Sequence, residues 1–93
     1  MIKATVFGNL GMDSELKVSK SGSTSFLTFS VAHQQGESTV WVNCVLFDAK
    51  AIEFNKDKLL KGARVTVYGD MKMTTNDKGS RLELVVKDVV SVF

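Results

Sequence analysis

The sequence predicts an all-β fold, a five-stranded Greek-key barrel with one short helix between its third and fourth main strands. Three observations predict it. Apolar and polar residues alternate with period two along most of the chain, as in half-buried strands. Proline is absent, so glycines and small polar clusters provide the turns between those stretches. Only one segment, the one behind Asp48, combines a helix-start residue with apolar residues at helical spacing.

Taken in order, Ile2 to Leu10 puts Ala4 and Val6 on one face and Lys3, Thr5 and Phe7 on the other, before Gly8-Asn9-Leu10-Gly11 bends the chain. Glu15 to Val18 continues that ribbon, and Ser19-Lys20-Ser21-Gly22-Ser23 has the composition of a hairpin loop. From Phe26 to His33, Leu27, Phe29 and Val31 oppose Thr28, Ser30 and Ala32. The run Thr39 to Phe47 is rich in β-branched and aromatic residues, with Val42, Cys44 and Leu46 opposite Trp41, Asn43, Val45 and Phe47. Asp48 is expected to cap a helix over Ala49 to Lys61 that turns Ala51, Ile52, Phe54, Leu59 and Leu60 partly toward a core and ends at Gly62. Arg64 to Met73 alternates again, Val65, Val67, Met71 and Met73 against Thr66, Tyr68, Asp70 and Lys72. Thr75-Asn76-Asp77-Lys78-Gly79 reads as a turn, and Arg81 to Val92 closes the fold through Leu82, Leu84 and Val86. This order fits an OB-fold barrel, the oligonucleotide-binding type, better than a βαβ parallel sheet.

A chain of 93 residues is expected to form a single domain over 1–93, with 44% hydrophobic and 24% charged residues, a globular balance. The net charge of +2 is too small for the whole molecule to act as a polycation, so an anion-binding surface requires segregated charges. With Cys44 as the only cysteine, neither an intrachain disulfide nor a multi-cysteine metal site is available, and a reducing compartment is expected. Cys44 reads as a small buried hydrophobe and His33 as a surface residue without ligand partners. One His, one Cys, and no nucleotide-binding loop or clustered carboxylates leave no convergent catalytic set, so no enzyme activity, cofactor or metal is expected. The N-terminus alternates instead of offering a signal-peptide stretch, and nothing in the sequence reads as membrane-spanning.

Four stretches carry a resemblance: Val6-Phe7-Gly8-Asn9-Leu10-Gly11 with Asp13; Phe29-Ser30-Val31-Ala32; Trp41-Val42-Asn43-Cys44-Val45-Leu46-Phe47; and Leu60-Lys61-Gly62 leading to Val65-Thr66-Val67-Tyr68-Gly69. In this order they resemble the bacterial-type single-stranded DNA-binding proteins. The resemblance implies single-stranded DNA as partner and, at Trp41 and Phe47, rings that stack on bases; these two lie on one face about 20 Å apart at ~3.3 Å per residue. Parity alone suits a core or subunit contact equally well, but the apolar stripe Val42-Cys44-Leu46 turns both rings outward. Lys3, Lys72 and Arg81 on outward strand faces, and Lys50 and Lys61 flanking the helix, fall where the family places phosphate-tracking cations. Asn43 stands where some relatives carry arginine, with a phosphate or a base edge as its partner. Tyr68 shares the face of Lys72, and Met71 and Met73 read as core or hairpin packing. Two further family tryptophans have no counterpart here, their regions reading His33-Gln34-Gln35-Gly36 and Met73-Thr74-Thr75-Asn76.

Cellular family members usually continue into a flexible linker with an acidic tip that docks partner enzymes. The sequence ends at Val90-Ser91-Val92-Phe93 without an acidic run, so tail-mediated docking is not expected of this chain, whether it is naturally tailless or part of something longer. The expected function is sequence-independent single-stranded DNA binding in replication, recombination or repair, in the cytoplasm of a bacterium or phage-infected host. A replication-restart accessory barrel and an oligomeric protein-interaction scaffold are the alternatives. A homo-oligomer is expected, a tetramer by resemblance and otherwise a dimer, because apolar residues such as Val40, Val85 and Val89 read as exposed.

Overall fold

A computed structural model describes residues 2–93. It contains β1 (Ile2–Leu10), β2 (Glu15–Val18), β3 (Ser25–Gln35), β4 (Ser38–Leu46), α1 (Ala49–Asn55), β5 (Arg64–Asn76) and β6 (Gly79–Val92). The strands form one sheet in the order β1-β5-β6-β4-β3-β2, and an additional β1–β3 pairing closes it into a barrel. The β4–β6 pair is parallel and every other pair antiparallel, which is the Greek-key return expected of this element order.

β1 and β2 are two halves of the first main strand. Leu10 pairs with Val31 and Glu15 with Thr28, so β1–β2 gains two residues on β3 across the bend at residues 11–14. That extra length lets one strand leave β5 and continue along β3, so six ladder segments make five main strands.

The inward faces are the ones the alternation predicts. Leu27, Val31, Cys44, Leu46, Leu59, Val65, Val67 and Leu84 are essentially inaccessible to solvent. Each such leucine or valine contributes roughly 1.5–3 kcal/mol by leaving water. Cys44 belongs to this layer, and burial pushes its thiol up to about 12, so it stays protonated and unreactive at neutral pH.

The helix is shorter than the expected span to Lys61. Asp48 caps it as predicted, its Oδ1 accepting the N–H groups of Lys50 and Ala51 at 2.9 and 3.0 Å. It stops at Asn55, whose side-chain amide donates to Ala51 O at 2.8 Å and whose carbonyl accepts from both Lys58 and Leu59. This turn drops Leu59 into the core and leaves Phe54 and Leu60 outside it, contrary to expectation. Phe54 instead lies under the Lys58 ammonium, 3.8 Å from its ring centroid. Gly62 does not end the helix; it sits in the loop to β5 and donates its N–H to Leu10 O.

Two bulges in β6 account for other departures. Gly69 pairs with Val86 but Tyr68 with Asp88, and Val67 pairs with Val89 but Thr66 with Ser91, leaving Lys87 and Val90 as extra residues. The first bulge reverses the alternation, so Val89 packs against the core and Val90 becomes the exposed valine. Val40 and Val85 are half-buried rather than exposed. Of the two places open to Met73, core or hairpin, it takes the second: it lies exposed on the β5–β6 hairpin, opposite Leu82. His33 is half-buried at the barrel mouth, where Nδ1 donates to Phe7 O at 2.9 Å and its ring meets Phe7 edge-on.

Lys3 on β1 hydrogen-bonds and ion-pairs with Asp70 on β5, a buried residue, and the bulge brings Lys87 Nζ to 3.9 Å from the same carboxylate. The Lys3 hydrogen bond holds the Asp70 carboxyl below its ordinary range, and Asp70 raises Lys3. A depressed carboxylate stabilises the fold above its unfolded pKa of about 4, and that stability is lost as pH falls through the lower folded value. Lys3, raised, contributes below about pH 10 and loses its contribution in more alkaline solution. Asp70→Asn is therefore expected to lower the melting temperature at pH 7 and to flatten its decline below about pH 4. Melting curves of the two proteins that run parallel through the acid range would show that the ion pair contributes nothing.

Candidate nucleic-acid interface

The outer face of β4 follows from its buried one. With Val42, Cys44 and Leu46 inside, Trp41 and Phe47 are thrown outward and remain 52% and 50% exposed. Register places Trp41 beside Ala32, Asn43 between Ser30 and Glu83, and Val45 between Thr28 and Val85. Just beyond the end of β4, Phe47 packs on Phe26, with ring centroids 5.6 Å apart and planes tilted by 45°.

An open groove of about 490 Å³ crosses this face, with Trp41, Asn43, Ser30, Thr28, Lys17 and Arg81 among its walls and the bend at residues 11–13 along one side. The far edge of the Trp41 indole lies over Gly11, where a β-carbon would come within 2.6 Å of the ring. Glycine at this position lets the outer edge of the indole come up against the bend. The bend is anchored to the loop after α1: Asp13 Oδ1 accepts the Lys61 N–H at 2.7 Å, and Ser14 N–H donates to Leu59 O at 2.9 Å. Across the groove floor, the Ser30 hydroxyl donates to Asn43 Oδ1 at 3.0 Å.

The cations divide into two groups. Lys3 belongs to the Asp70 pair on the β1–β5 side, away from the groove, and Lys72 lies 3.6 Å from Glu83. Among the described residues, Lys50, Lys61 and Arg81 have no carboxylate within ion-pairing distance. Arg81 lines the groove with Trp41, Lys61 is tied to its bend, and Lys50 follows Phe47 in the first turn of α1. Of the residues singled out from the sequence, the structure brings Trp41, Asn43 and Arg81 into one groove, with Phe47 at the far end of the same strand face. Tyr68 lies outside it, beside Thr5 and Asp88.

Sequence reasoning missed three residues of this surface: Phe26, Lys17 and Met12. The signal for Phe26 and Lys17 was present, since Phe26 has the outward parity of Thr28 and Ser30, and Lys17 pairs with it across the β2–β3 ladder. Met12, 70% exposed, had none, because no alternation operates inside a bend.

Comparison with known families settles where this barrel belongs. The model of the single-strand binding protein family matches residues 1–92. The chain belongs to that family. Among solved structures, it is similar to the mitochondrial single-stranded DNA binding protein of S. cerevisiae. One crystal form gives 30% identity over 95% of this chain and 91% of that one, with a TM-score of 0.76. A second form gives 28% identity over 98% and 92%, with a TM-score of 0.79. The SSB domain of a Synechococcus sp. protein shares the fold at 18% identity over 96% and 93%, with a TM-score of 0.75. No curated protein sequence matches the chain. Membership of the single-strand binding protein family makes this a binding protein and not an enzyme. In this member the groove is electrically mixed: Asp13 and Glu15 line it together with Lys17 and Arg81. Among the described residues no helix is long and apolar enough to cross a membrane.

Proposed function

We propose that this protein coats single-stranded DNA without sequence preference, stacking bases on Trp41 and on the Phe47–Phe26 pair and drawing phosphates to Lys50, Lys61 and Arg81. The observation that carries this reading is the half-exposed indole of Trp41, its outer edge set against Gly11 at the wall of an open groove, in a chain of the single-strand binding protein family. A half-exposed tryptophan at the wall of an open groove suits a partner whose every base has a π-face. The roles of Lys3 and Lys72 are weaker than the sequence suggested, since each must leave a carboxylate before it can serve a phosphate. The cellular setting we propose is DNA replication, recombination or repair in the cytoplasm of a bacterium or phage-infected host, which suits a chain whose lone thiol is buried.

Trp41 is the only tryptophan, so its fluorescence reports on this site alone. Titration with oligo-dT is expected to quench it. The logarithm of affinity should fall with the logarithm of salt by about 0.7 per phosphate neutralised, giving a slope of about −2 if Lys50, Lys61 and Arg81 each neutralise one phosphate. Absence of quenching, or a flat salt response, would contradict the proposal. A folded protein that self-associates but leaves oligo-dT unbound would instead favour the interaction scaffold.

The functional unit we propose is a homo-oligomer, a tetramer or otherwise a dimer. One barrel of this type engages only about 4–16 nucleotides, and linked sites convert modest contacts into tight coating. Ile2 and Phe7 on β1 and Val90 on the β6 bulge add exposed apolar surface that rotational symmetry would bury identically in each copy. Light scattering at micromolar concentration without DNA is expected to give a multiple of the 10.2 kDa chain mass. A monomer mass would overturn the oligomer.

A further inference from the structure

The segment from α1 to the loop before β5 concentrates the positive charge of the molecule. Over residues 49–61 four lysines stand against Glu53 and Asp57, an excess of two that equals the net charge of +2 of the whole chain, so the remaining residues balance. Glu53 is engaged by Lys56 at 3.1 Å, and Asp48, at the border of the segment, turns its carboxylate to the helix N–H groups. Among the described residues Lys50, Lys58 and Lys61 have no carboxylate within ion-pairing distance. In the middle of this segment Phe54 is 70% exposed, more than Trp41 or Phe47. The helix fixes its direction. Ile52 and Asn55 are the buried residues of α1, which leaves Lys50 and Phe54, four residues apart, as neighbours on the outward side, about 5–6 Å between their β-carbons. The Lys58 ammonium rests 3.8 Å from the ring centroid, and the ring keeps its exposure with that cation in place. The ring takes no part in the hydrophobic core, so folding gains little from it.

This segment is continuous with the groove face. It begins two residues after Phe47, at the end of the β4 face away from Trp41. It returns to the groove wall at Lys61, whose N–H is held by Asp13, and at Leu59, whose carbonyl accepts from Ser14. A nucleic-acid strand lying along β4 from Trp41 to Phe47 therefore runs onto α1 as it leaves the sheet. There it meets an aromatic ring with unpaired cations beside it, the combination that bases and phosphates require.

We infer that single-stranded DNA continues from Phe47 across α1, with a base stacked on Phe54 and phosphates held by Lys50 and Lys58. This rests on the proposed single-stranded DNA binding and lengthens its path by one platform. Stacking on a phenyl ring is indifferent to base identity, so the added contact keeps binding independent of sequence. Lys58 becomes a phosphate contact beyond Lys50, Lys61 and Arg81. Without DNA its ammonium lies against the ring, and a phosphate beside the stacked base draws it away with no carboxylate to leave. The excess of positive charge selects a polyanion over a second copy of this chain, whose own segment would bring the same excess to a symmetric contact.

The test uses the full chain with an oligo-dT and an abasic oligonucleotide, each of about 16 nucleotides, the upper end of what one such barrel engages. Affinity is read from the anisotropy of a labelled strand and folding from thermal melting. Phe54→Ala is expected to weaken oligo-dT binding about fivefold, the low end for loss of one base–aromatic stack, and to leave binding of the abasic strand unchanged. Lys58→Gln should weaken both strands and make the slope of log affinity against log salt shallower by about 0.7, the amount of one phosphate. A third protein, Trp41→Phe combined with Phe54→Trp, carries its only tryptophan at position 54, and saturating oligo-dT should quench its fluorescence. Unchanged oligo-dT affinity in folded Phe54→Ala, an equal loss on both strands, an unchanged salt slope in Lys58→Gln, or absence of quenching in the third protein would overturn the inference. A Phe54→Ala protein of unchanged DNA affinity but lower mass by light scattering would overturn it in favour of a contact between copies. Failure of the parent to bind either strand would instead strike the DNA-binding proposal itself, and this inference with it.

Discussion

Trp41→Ala is expected to weaken binding to oligo-dT by about 1–3 kcal/mol, roughly 5- to 150-fold, with the melting temperature nearly unchanged. The two halves of that expectation have separate grounds. The indole is half-exposed and rests on the glycine of a bend rather than in the core layer, so removing it opens no cavity. The ring lines the groove, so the loss falls on whatever stacks there. Fluorescence anisotropy of a labelled oligonucleotide supplies the measurement, since the variant lacks the intrinsic reporter. Trp41→Phe keeps a smaller platform and should fall between parent and alanine. Gly11→Ala supplies an independent check: its β-carbon must push the ring aside, so it should lower affinity without touching Trp41 itself. Unchanged affinity in a folded Trp41→Ala protein removes this residue from the site.

What the sequence made legible is what alternation encodes. The period-two pattern of β1, β3 and β4 identified Val6, Leu27, Phe29, Val31, Val42, Cys44 and Leu46 as inward, and the outward direction of Trp41 and Phe47 followed from it. Alternation fails wherever the backbone adds a residue. The parity of β6 changes at Lys87 and again at Val90, which is why Val89 faces the core while Val90 is exposed. The length of the helix was illegible for a different reason. Phe54, Leu59 and Leu60 have helical spacing in sequence, yet the Asn55 side chain engages the helix backbone at Ala51 and the chain turns there, so Leu59 reaches the core from a turn. The charges of the site were legible only as a list. Their division into paired and unpaired members depends on cross-strand neighbours: Asp70 opposite Lys3, Glu83 opposite Lys72. These partners are 67 and 11 residues apart in sequence, and no local pattern joins them.

The largest loss of stability is expected from Gly69→Ala, about 3 kcal/mol, the upper end of the range for forcing atoms into a packed interior. Gly69 is buried where β5 lies between β1 and β6, paired to Ala4 on one side and to Val86 on the other. A β-carbon there would lie 2.0 Å from the carbonyl oxygen of Val85 and 2.9 Å from its carbonyl carbon. Side chains can rotate away from an intruding methyl group, but this obstacle is the backbone of β6 at its first bulge. Moving it breaks ladder hydrogen bonds and shifts Lys87 from the Asp70 carboxylate. One wall of the groove depends on the same strand, since β6 carries Arg81 and pairs in parallel with the Asn43 strand. In a domain of this size each kcal/mol is worth roughly 4–8 °C, so the melting temperature should fall by roughly 12–24 °C. Urea denaturation should show the same loss as an earlier midpoint with an unchanged slope, the signature of lower stability without a change in the folded state's compactness. Oligo-dT affinity of the fraction still folded should stay close to that of the parent, because Trp41 and Gly11 are untouched. A Gly69→Ala protein within about 1 kcal/mol of the parent would mean that the β6 bulge opens at little cost and that the close approach of β5 and β6 is not what fixes the barrel wall.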